Sequence, residues 1–335
     1  MDQDISSRLQ TAIALRAGLL DTRHEAALRL FNGFYEGCPE LAIDLYGRTL
    51  LLHNYADEPE MAQELVDRAQ ETLLTELPWI TAVAVKTRHG RSDALKRGVV
   101  VFGTPETLTK RVREDGVWYA VDLLLNRDAS LYLDTRNLRA WAREQLGEKT
   151  VLNTFAYTGS LGVAAQAGGA RRVVQLDLNR SFLNVAKTSY TLNGFPIDKA
   201  NFQAGDFWTQ INQLKRRGER FDCVFVDPPF FAATTKGTVD LQANVGRVIN
   251  KVRPLIEDGG SLVAVNNALF VSGAAYLEEL ERLCADGYLS LEQLIPVPDD
   301  FTGYPETRVG VAPVDPTPFN HPTKIAVLRV RRKQV

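Results

Sequence analysis

The stretch Val151-Leu-Asn-Thr-Phe-Ala-Tyr-Thr-Gly-Ser160 decides which fold the sequence predicts. Its apolar beginning has the length of a buried strand, and the residues after Gly159 have the composition of a helix. The glycine permits a tight turn and lets a ligand approach the backbone, while the helix start offers unpaired N–H groups. A single glycine is a weak signal. Because the dinucleotide-binding pattern G-x-G-x-x-G is absent here, the stretch disfavours a nicotinamide or flavin enzyme.

Strands and helices alternate on both sides of this turn. Helices are predicted over 138–146, 160–167, 180–193, 207–217, 240–253 and 272–285, with strands between them at 150–153, 172–177, 201–204, 223–226 and 260–266, and a β-rich tail follows. Such alternation forms a mostly parallel sheet with helices on both faces. Ligands of these α/β sheets bind beyond the carboxyl ends of the strands, so the site is expected at that edge.

The first third of the chain has a different order of predicted helices and strands. A helix is predicted over 5–31, strands within 41–53, a helix at 58–77, strands at 80–86 and 99–102, and a hairpin that pairs 117–121 with 130–133. We therefore expect an N-terminal helix in residues 1–30, a small α/β domain in 31–125 and a larger domain in 126–335.

Residues 86–113 form a basic stretch, with eight Lys or Arg residues against two acidic ones and a local charge of +6. Such a stretch is either an ordinary solvated surface or an RNA-binding face. The net charge of −2 for the whole chain of 335 residues neither requires nor excludes a nucleic acid partner.

Composition excludes several classes of protein. Apolar residues make up 45% of the chain, yet no apolar run approaches the length of a membrane span, and the polar N-terminus does not resemble a secretory signal. The cysteines Cys38, Cys223 and Cys284 are scattered and lack zinc spacing, so we expect neither a metal site nor a disulfide framework. A reducing cytoplasm is the expected location.

Acidic residues follow the next two predicted strands. Asp177 lies 18 residues after Gly159, where an acid can accept hydrogen bonds from ribose hydroxyls. Asp206 precedes Phe207, and this pair can hold the amine and the ring face of adenine. Both acids have a simpler interpretation as a helix N-cap, which for Asp206 is plausible on its own. Asn179 can cap the helix after Asp177 alone, so the ribose role of Asp177 is favoured over capping.

The stretch Asp222-Cys-Val-Phe-Val-Asp-Pro-Pro-Phe-Phe231 is the most specific signal in the chain. Two prolines fix the backbone and leave their carbonyls as acceptors, Asp227 adds a carboxylate, and Phe230 and Phe231 add flat apolar surface. This set suits a planar ring that bears an amine, such as a base flipped out of its stack.

These motifs resemble those of class I S-adenosylmethionine-dependent methyltransferases. More narrowly, the chain is similar to the bacterial large-subunit ribosomal RNA methyltransferases, a group with cytosine-C5 and guanine-N7 enzymes. The resemblance covers about residues 30–270 and lies in 36–47, 132–136, 152–160, 168–170, Asp177, 192–194, Asp206, 221–222 and 227–229. It implies a Rossmann-like, mostly parallel seven-stranded sheet, S-adenosyl-L-methionine as cofactor and RNA as partner.

The resemblance also implies roles for individual residues. Expected around the cofactor are Arg136, Asn153, Phe155, Tyr157, Thr158, Gly159, Asp177, Leu178, Asp206, Phe207 and Asp227, and expected around the target base are Asp227, Pro228, Phe230 and Asn266.

The chain departs from the group in two places. Only about 30 residues precede the middle domain, too few for the PUA-type RNA-binding domain of many relatives, so RNA capture would rest on residues 86–113. Cytosine-C5 methylation needs a thiolate, and the place after the fifth strand reads Asn266-Asn267, as in the guanine-N7 members. A guanine nitrogen is therefore the preferred target. A small molecule or a protein amine or amide remains the alternative acceptor, and a non-catalytic nucleotide-binding module is the third hypothesis.

The tail between the last two predicted strands, residues 299–322, is rich in proline. It is expected to form either a structured lid or a long surface connection. His321 within it is more often structural than a substrate contact in such a setting.

Overall fold

The computed structural model describes residues 4–234, 236–241 and 245–332. The chain divides into two compact units, the first running from the described N-terminus to Leu133 and including Pro298–Ala312, the second comprising Asp134–Val297 and the chain from Pro313.

The first unit is built on a five-stranded sheet of order β1-β2-β3-β4-β5, in which only β3 and β4 pair in parallel. Its elements are α1 (Ile5–Arg16), β1 (Ala27–Asn32), α2 (Gly33–Glu36), β2 (Leu41–Tyr46), β3 (Thr49–Asn54), α3 (Gln63–Glu76), β4 (Ala82–Thr87), α4 (Asp93–Arg97), β5 (Val99–Phe102) and the hairpin β6 (Arg111–Glu114) and β7 (Val117–Ala120). An apolar core that includes Leu9, Leu30, Ile43, Leu52 and Leu73 joins α1 and α3 to this sheet.

Two expectations for this part of the chain were wrong. The helix predicted over 5–31 ends at Arg16, and residues 27–32 form the fully buried strand β1. Four of its six residues are apolar, and the polar Arg29 and Asn32 are buried as well, so the strand shows no alternation and a short run of this kind fits helix and strand equally well. The strand β7 pairs with β6, on its N-terminal side, and not with 130–133. The turn Asp115-Gly116, with φ of +48° and +87°, forms this shorter hairpin.

Residues 298–312 belong to the first unit although they stand in the sequence between the last two strands of the second. The Asp300 carboxylate accepts the Arg29 N–H at 3.0 Å, and the Thr307 hydroxyl donates to Glu36 at 2.6 Å. Arg16 donates to the Asp300 carbonyl oxygen at 2.9 Å. The segment is thus hydrogen-bonded into the polar interior of the first unit.

The second unit contains a seven-stranded sheet of order β10-β9-β8-β11-β14-β16-β15. Its elements are α5 (Arg136–Gln145), β8 (Thr150–Thr154), α6 (Ser160–Ala167), β9 (Arg172–Asp177), α7 (Arg180–Leu192), β10 (Phe202–Ala204), α8 (Phe207–Arg216), β11 (Phe221–Val226), β12 (Phe231–Thr234), β13 (Gly237–Asp240), α9 (Val245–Val252), β14 (Ile256–Asn266), α10 (Gly273–Cys284), β15 (Leu289–Ile295) and β16 (Lys324–Val330), while α11 (Asp299–Thr302) lies in the first unit. The strands from β10 to β14 are parallel, and β16 is antiparallel to both of its neighbours.

The Rossmann-like α/β architecture predicted from the sequence is therefore confirmed, and the predicted strands and helices of this unit lie within a few residues of the observed ones. One feature was not predicted: β12 and β13 form a hairpin directly after the Asp227-Pro-Pro-Phe230 motif. The helix expected over 240–253 is described from Val245, and residues 242–244 lie outside the described part.

A buried ion pair in the first unit gives a stability prediction. Arg16 and Glu36 are fully buried and make two hydrogen bonds of 3.1 and 2.9 Å with each other. Glu36→Gln leaves the Arg16 charge buried without its partner, so the free energy of unfolding should fall by about 3 kcal/mol. Chemical denaturation measures this change. The control Glu64→Gln removes an exposed partner of Arg68 and should leave the free energy unchanged, and equal effects of the two variants would contradict the prediction.

Candidate active site

The strand register brings the predicted site residues to one edge of the second unit's sheet. Thr154 of β8 lies opposite Leu176 of β9 and Val226 of β11, and Ala204 of β10 lies opposite Asp177. The turns after these four strands therefore leave the sheet side by side, at the carboxyl edge where α/β proteins bind ligands.

The turn after β8 is held in a strained conformation. Phe155, Tyr157 and Gly159 have φ of +53°, +51° and +76°, a left-handed region that costs free energy for the two aromatic residues. Backbone N–H groups fasten the turn: Ala156 donates to the Leu176 carbonyl oxygen at 2.8 Å, and Gly159 donates to the Ala156 carbonyl oxygen at 2.7 Å. Strain of this kind persists where a turn must present its backbone to a ligand.

Gln175 of β9 braces this turn from below, and sequence reasoning missed it. Its side chain accepts from Asn153 Nδ2 at 2.8 Å and donates to the Gly159 carbonyl oxygen at 3.1 Å. A Cβ on Gly162 would lie 2.1 Å from Gln175 Nε2, so the helix after the turn needs glycine there. Asn153 is itself buried. The structure thus places Asn153 beneath the turn, where it positions the ligand-facing residues.

Asp177 ends β9 and holds the neighbouring turns with both carboxylate oxygens. Oδ2 accepts the Tyr157 N–H at 2.8 Å, and Oδ1 accepts the Asn179 N–H at 2.8 Å. Burial raises the pKa of Asp177 despite these two N–H groups, which lower it. Asn179 caps α7 with its own side chain, so that helix does not need Asp177 as its cap. Leu178 beside it is exposed.

Asp206 and Phe207 begin α8, and the capping interpretation of Asp206 is confirmed. Its Oδ1 accepts the Thr209 N–H at 3.0 Å. The ring of Phe207 stacks on Phe155 with centroids 4.5 Å apart. This stack joins the turn after β8 to the turn after β10, with Phe155 half-buried and Phe207 buried behind it.

Asp227 follows β11 and has an unusual electrostatic environment. Burial, and secondly the negative charge of Asp134, raise the pKa of Asp227 to about 7. Pro228 behind it is buried, while Phe230 and Phe231 keep 42% and 58% of their surface exposed. The motif therefore presents a carboxyl group that is readily protonated beside two exposed aromatic rings.

Asn266 ends β14 and is fully buried. Its Oδ1 accepts the Ala268 N–H at 2.9 Å, and its Nδ2 lies 3.5 Å from the Leu241 carbonyl oxygen. The structure therefore uses both ends of this amide internally and does not bring it to the surface as a substrate contact. The adjacent Asn267 is half-buried, and its Oδ1 has no hydrogen-bond partner among the described residues.

The remaining predicted residues lie in the same unit. Arg136 begins α5 and is half-buried, and Thr158 is buried within the turn after β8. His321 is buried, and its Nδ1 accepts the Thr323 N–H at 3.0 Å, which is a structural use of the ring.

The basic stretch 86–113 lies in the first unit, and its charge is partly neutralised. Burial lowers the pKa of Lys86 to about 8, and its Nζ donates to the Arg97 carbonyl oxygen at 2.6 Å. Arg97 pairs with Asp93 at 2.6 Å, and Arg91 pairs with Glu60 at 3.2 Å. Asp93 is already counted in the local charge of +6, whereas Glu60 lies outside the stretch and Lys86 is buried, so the charge that this stretch offers to RNA is lower than +6.

The site fits a nucleoside with a charged amino-acid tail. Asp177 suits ribose hydroxyls, the stacked Phe155 and Phe207 suit a flat base, and the N-terminus of α6 suits a carboxylate. A Rossmann-like sheet with these turns defines the class I methyltransferases. The chain belongs to the S-adenosylmethionine-dependent methyltransferase family, whose family model matches residues 29–305.

Curated relatives are similar over most of this chain. A protein of Klebsiella pneumoniae (strain 342) named ribosomal RNA large subunit methyltransferase I is 31% identical over 83% of this chain and 68% of its own length. A protein of the same name from Aeromonas salmonicida (strain A449) is 32% identical over 67% of this chain and 57% of its own length. The chain thus spans little more than half the length of the Aeromonas relative.

Solved structures share the fold. SMU.776, described as a methyltransferase complexed with SAH, has a TM-score of 0.81 at 22% identity, over 97% of this chain and 80% of that one.

Among residues 4–234, 236–241 and 245–332, no helix has the length and apolar character to cross a bilayer. That same part of the chain holds no group of three or more His, Cys, Asp or Glu side chains arranged to bind a metal ion.

Removing the charge of Asp177 tests its role towards the cofactor. In Asp177→Asn the ribose loses its charged acceptor, so the Kd for S-adenosylmethionine should rise by about tenfold to a hundredfold. Titration calorimetry measures this change. As a control, Asp198→Asn alters an acid that also accepts a backbone N–H, but at the start of a short helix before β10. An unchanged Kd in Asp177→Asn would remove Asp177 from the cofactor site.

Proposed function

We propose that this protein methylates a base in RNA, with ribosomal RNA as the first candidate and a guanine ring nitrogen preferred to cytosine C5. The relatives named as ribosomal RNA methyltransferases support the choice of RNA. The cofactor supplies an electrophilic methyl carbon when bound, so the chain's own task is to bind, orient and exclude water. We also propose the cytoplasm as its location, in keeping with three free cysteines.

The state of the cysteines carries the choice of a ring nitrogen. Attack on cytosine C5 needs a thiolate that adds to the ring first. Burial raises the pKa of Cys223, which lies inside β11, and of Cys284 on α10. Cys38 belongs to the first unit, and burial raises its pKa to about 11. None of the three thiols of the chain is therefore activated, whereas a guanine nitrogen already carries a lone pair and needs only positioning.

The acceptor pocket is proposed around Asp227, Pro228 and Phe230. The prolines leave carbonyls without competing N–H groups, and Phe230 and Phe231 offer exposed faces on which a base can stack. An ionised Asp227 accepts a hydrogen bond from an amine or ring N–H more strongly than the neutral acid does.

Mapping of methyl groups in total RNA tests the function. Mass spectrometry of nucleosides from a strain without the gene should lack one methylated guanosine, which the wild-type gene restores and Asp227→Ala does not. Loss of a methylated cytidine would reject the nitrogen target. If RNA is unchanged, transfer to a small-molecule or protein amine becomes the leading function.

The titration of Asp227 predicts the pH profile of methyl transfer. Because the ionised form is the better acceptor, kcat/KM should rise with pH up to about 7 and level off above it. Asp227→Asn should remove this rise. Asp134→Asn removes the neighbouring negative charge, so it should move the rise to lower pH. Tyr276, whose pKa burial and the charge of Asp227 raise, stays neutral across this range.

The raised pKa of Asp227 also predicts in which direction the stability of the protein changes with pH. Its pKa in the unfolded chain is near 3.8 and in the folded protein about 7. Between these values the unfolded chain loses the proton first, so the contribution of Asp227 to stability falls as pH rises from about 4 to about 7. Denaturation of wild type and Asp227→Asn at several pH values checks this. A profile as steep in the variant as in the wild type would contradict the assignment.

A further inference from the structure

Ala268, the residue after Asn267, has both of its backbone polar groups bound by buried polar side chains. The Ala268 N–H donates to Asn266 Oδ1 at 2.9 Å, and the Ala268 carbonyl oxygen accepts from Lys324 Nζ at 3.0 Å. Asn266 at the end of β14 and Lys324 at the start of β16 are register partners, and both are fully buried. Burial lowers the pKa of Lys324 to about 8. Burying a cation and an amide is costly, and the feature they secure is the backbone of one residue, Ala268, at the carboxyl edge of the sheet.

Asn267 directly precedes this fixed residue, and the oxygen of its own side-chain amide is not satisfied by the described residues. Its Oδ1 is shielded from solvent and has no partner in the part of the chain that the structure describes. A buried acceptor without a donor keeps the desolvation cost of burial with no hydrogen bond to offset it. Most native proteins avoid that cost, and an exception at a binding edge indicates a partner that arrives with the ligand.

The surroundings of Asn267 suit a planar ligand. The strands β11 and β14 are parallel neighbours, with Val226 opposite Ala264, so the turns that follow them leave the same edge. Phe230 and Phe231 after β11 are exposed, and so are Leu269 and Phe270 after β14, by 50% and 71%. Apolar side chains exposed together in this way mark a binding surface, and aromatic faces among them stack on bases.

We infer that Asn267 is a specificity-determining residue that accepts a hydrogen bond from an N–H group of the acceptor base. The inference rests on the proposed methylation of RNA and assigns recognition within it. Guanine carries its N–H donors on the Watson–Crick edge, away from N7, and flipped bases are read on that edge. Asn267 Oδ1 and the Asp227 carboxylate are both acceptors, so together they fit an edge that bears donors. Asn266 and Lys324 are positioning residues that hold Asn267 in place.

Two substitutions at Asn267 separate recognition from structure. In Asn267→Ala the acceptor is lost, so kcat/KM for RNA should fall by at least about tenfold. Because the lost atom is unsatisfied in the free protein, the Tm should stay equal or rise, and the Kd for S-adenosylmethionine should not change. Asn267→Asp keeps an acceptor oxygen in the same shape and should recover much of the activity lost in the alanine variant.

Asn193 provides a matched control. It is a half-buried asparagine at the C-terminal end of α7, and its Nδ2 donates to the Ser189 carbonyl oxygen at 2.8 Å. Since α7 runs from the carboxyl end of β9 back to the start of β10, this residue lies at the opposite edge of the sheet. Asn193→Ala should therefore lower the Tm and leave kcat/KM unchanged, the reverse of Asn267→Ala.

The assay measures methyl transfer from labelled S-adenosylmethionine to ribosomal RNA isolated from a strain without the gene. If the wild type transfers methyl groups to this RNA and the kcat/KM of Asn267→Ala stays within about twofold of the wild-type value, the inference about Asn267 fails while the proposed function stands. If Asn267→Ala loses stability and cofactor affinity together, the residue is structural and the inference fails. If the wild type transfers no methyl group to this RNA, the proposed function fails and the inference falls with it.

Discussion

The candidate site depends on the two hydrogen bonds of the Gln175 side chain, to Asn153 on one side and to the Gly159 carbonyl oxygen on the other. The turn above them keeps Phe155 and Tyr157 at positive φ, and each such residue costs on the order of 1–3 kcal/mol. A turn under that strain relaxes unless its two ends are tied. The side-chain amide of Gln175 reaches both ends of the turn from a buried position in β9. The strained backbone is therefore held at the carboxyl edge of the sheet, and the Asp177 carboxylate, which accepts the Tyr157 N–H, lies beside it.

The acceptor pocket that we propose is built from groups that receive hydrogen bonds. Asp227, the proline carbonyls beside it and Asn267 all offer oxygen, and the three thiols of the chain are held in their neutral form. A nucleophile that brings its own lone pair suits such a pocket, because it needs alignment and no covalent help. The ionisation of Asp227 depends on its surroundings. Burial is the first cause of its raised pKa, and the negative charge of Asp134 is the second.

The fold of the second unit could be predicted because strands and helices alternate there with regular lengths. The predicted positions of Asp177, Asp206 and Asp227 at strand ends follow from that alternation. Sequence reasoning failed where distance in the chain hides the partner. Gln175 looked like an ordinary strand residue because its partners Asn153 and Gly159 stand 22 and 16 residues before it. The amide oxygen of Asn266 accepts the N–H of Ala268, only two residues further on, which the sequence pattern does not reveal. Residues 27–31 were assigned to a helix because a fully buried strand carries no alternating pattern.

The return of residues 298–312 to the first unit has a consequence for the order of folding. Arg16 is hydrogen-bonded to the carbonyl oxygen of Asp300, 284 residues further along the chain. During synthesis the N-terminal part therefore emerges with two arginines, Arg16 and Arg29, whose last partners have not yet been made. Its interior closes only after nearly the whole second unit has been synthesised, so this protein cannot mature strictly domain by domain from its N-terminus. The long loop between these contacts also makes their formation slow.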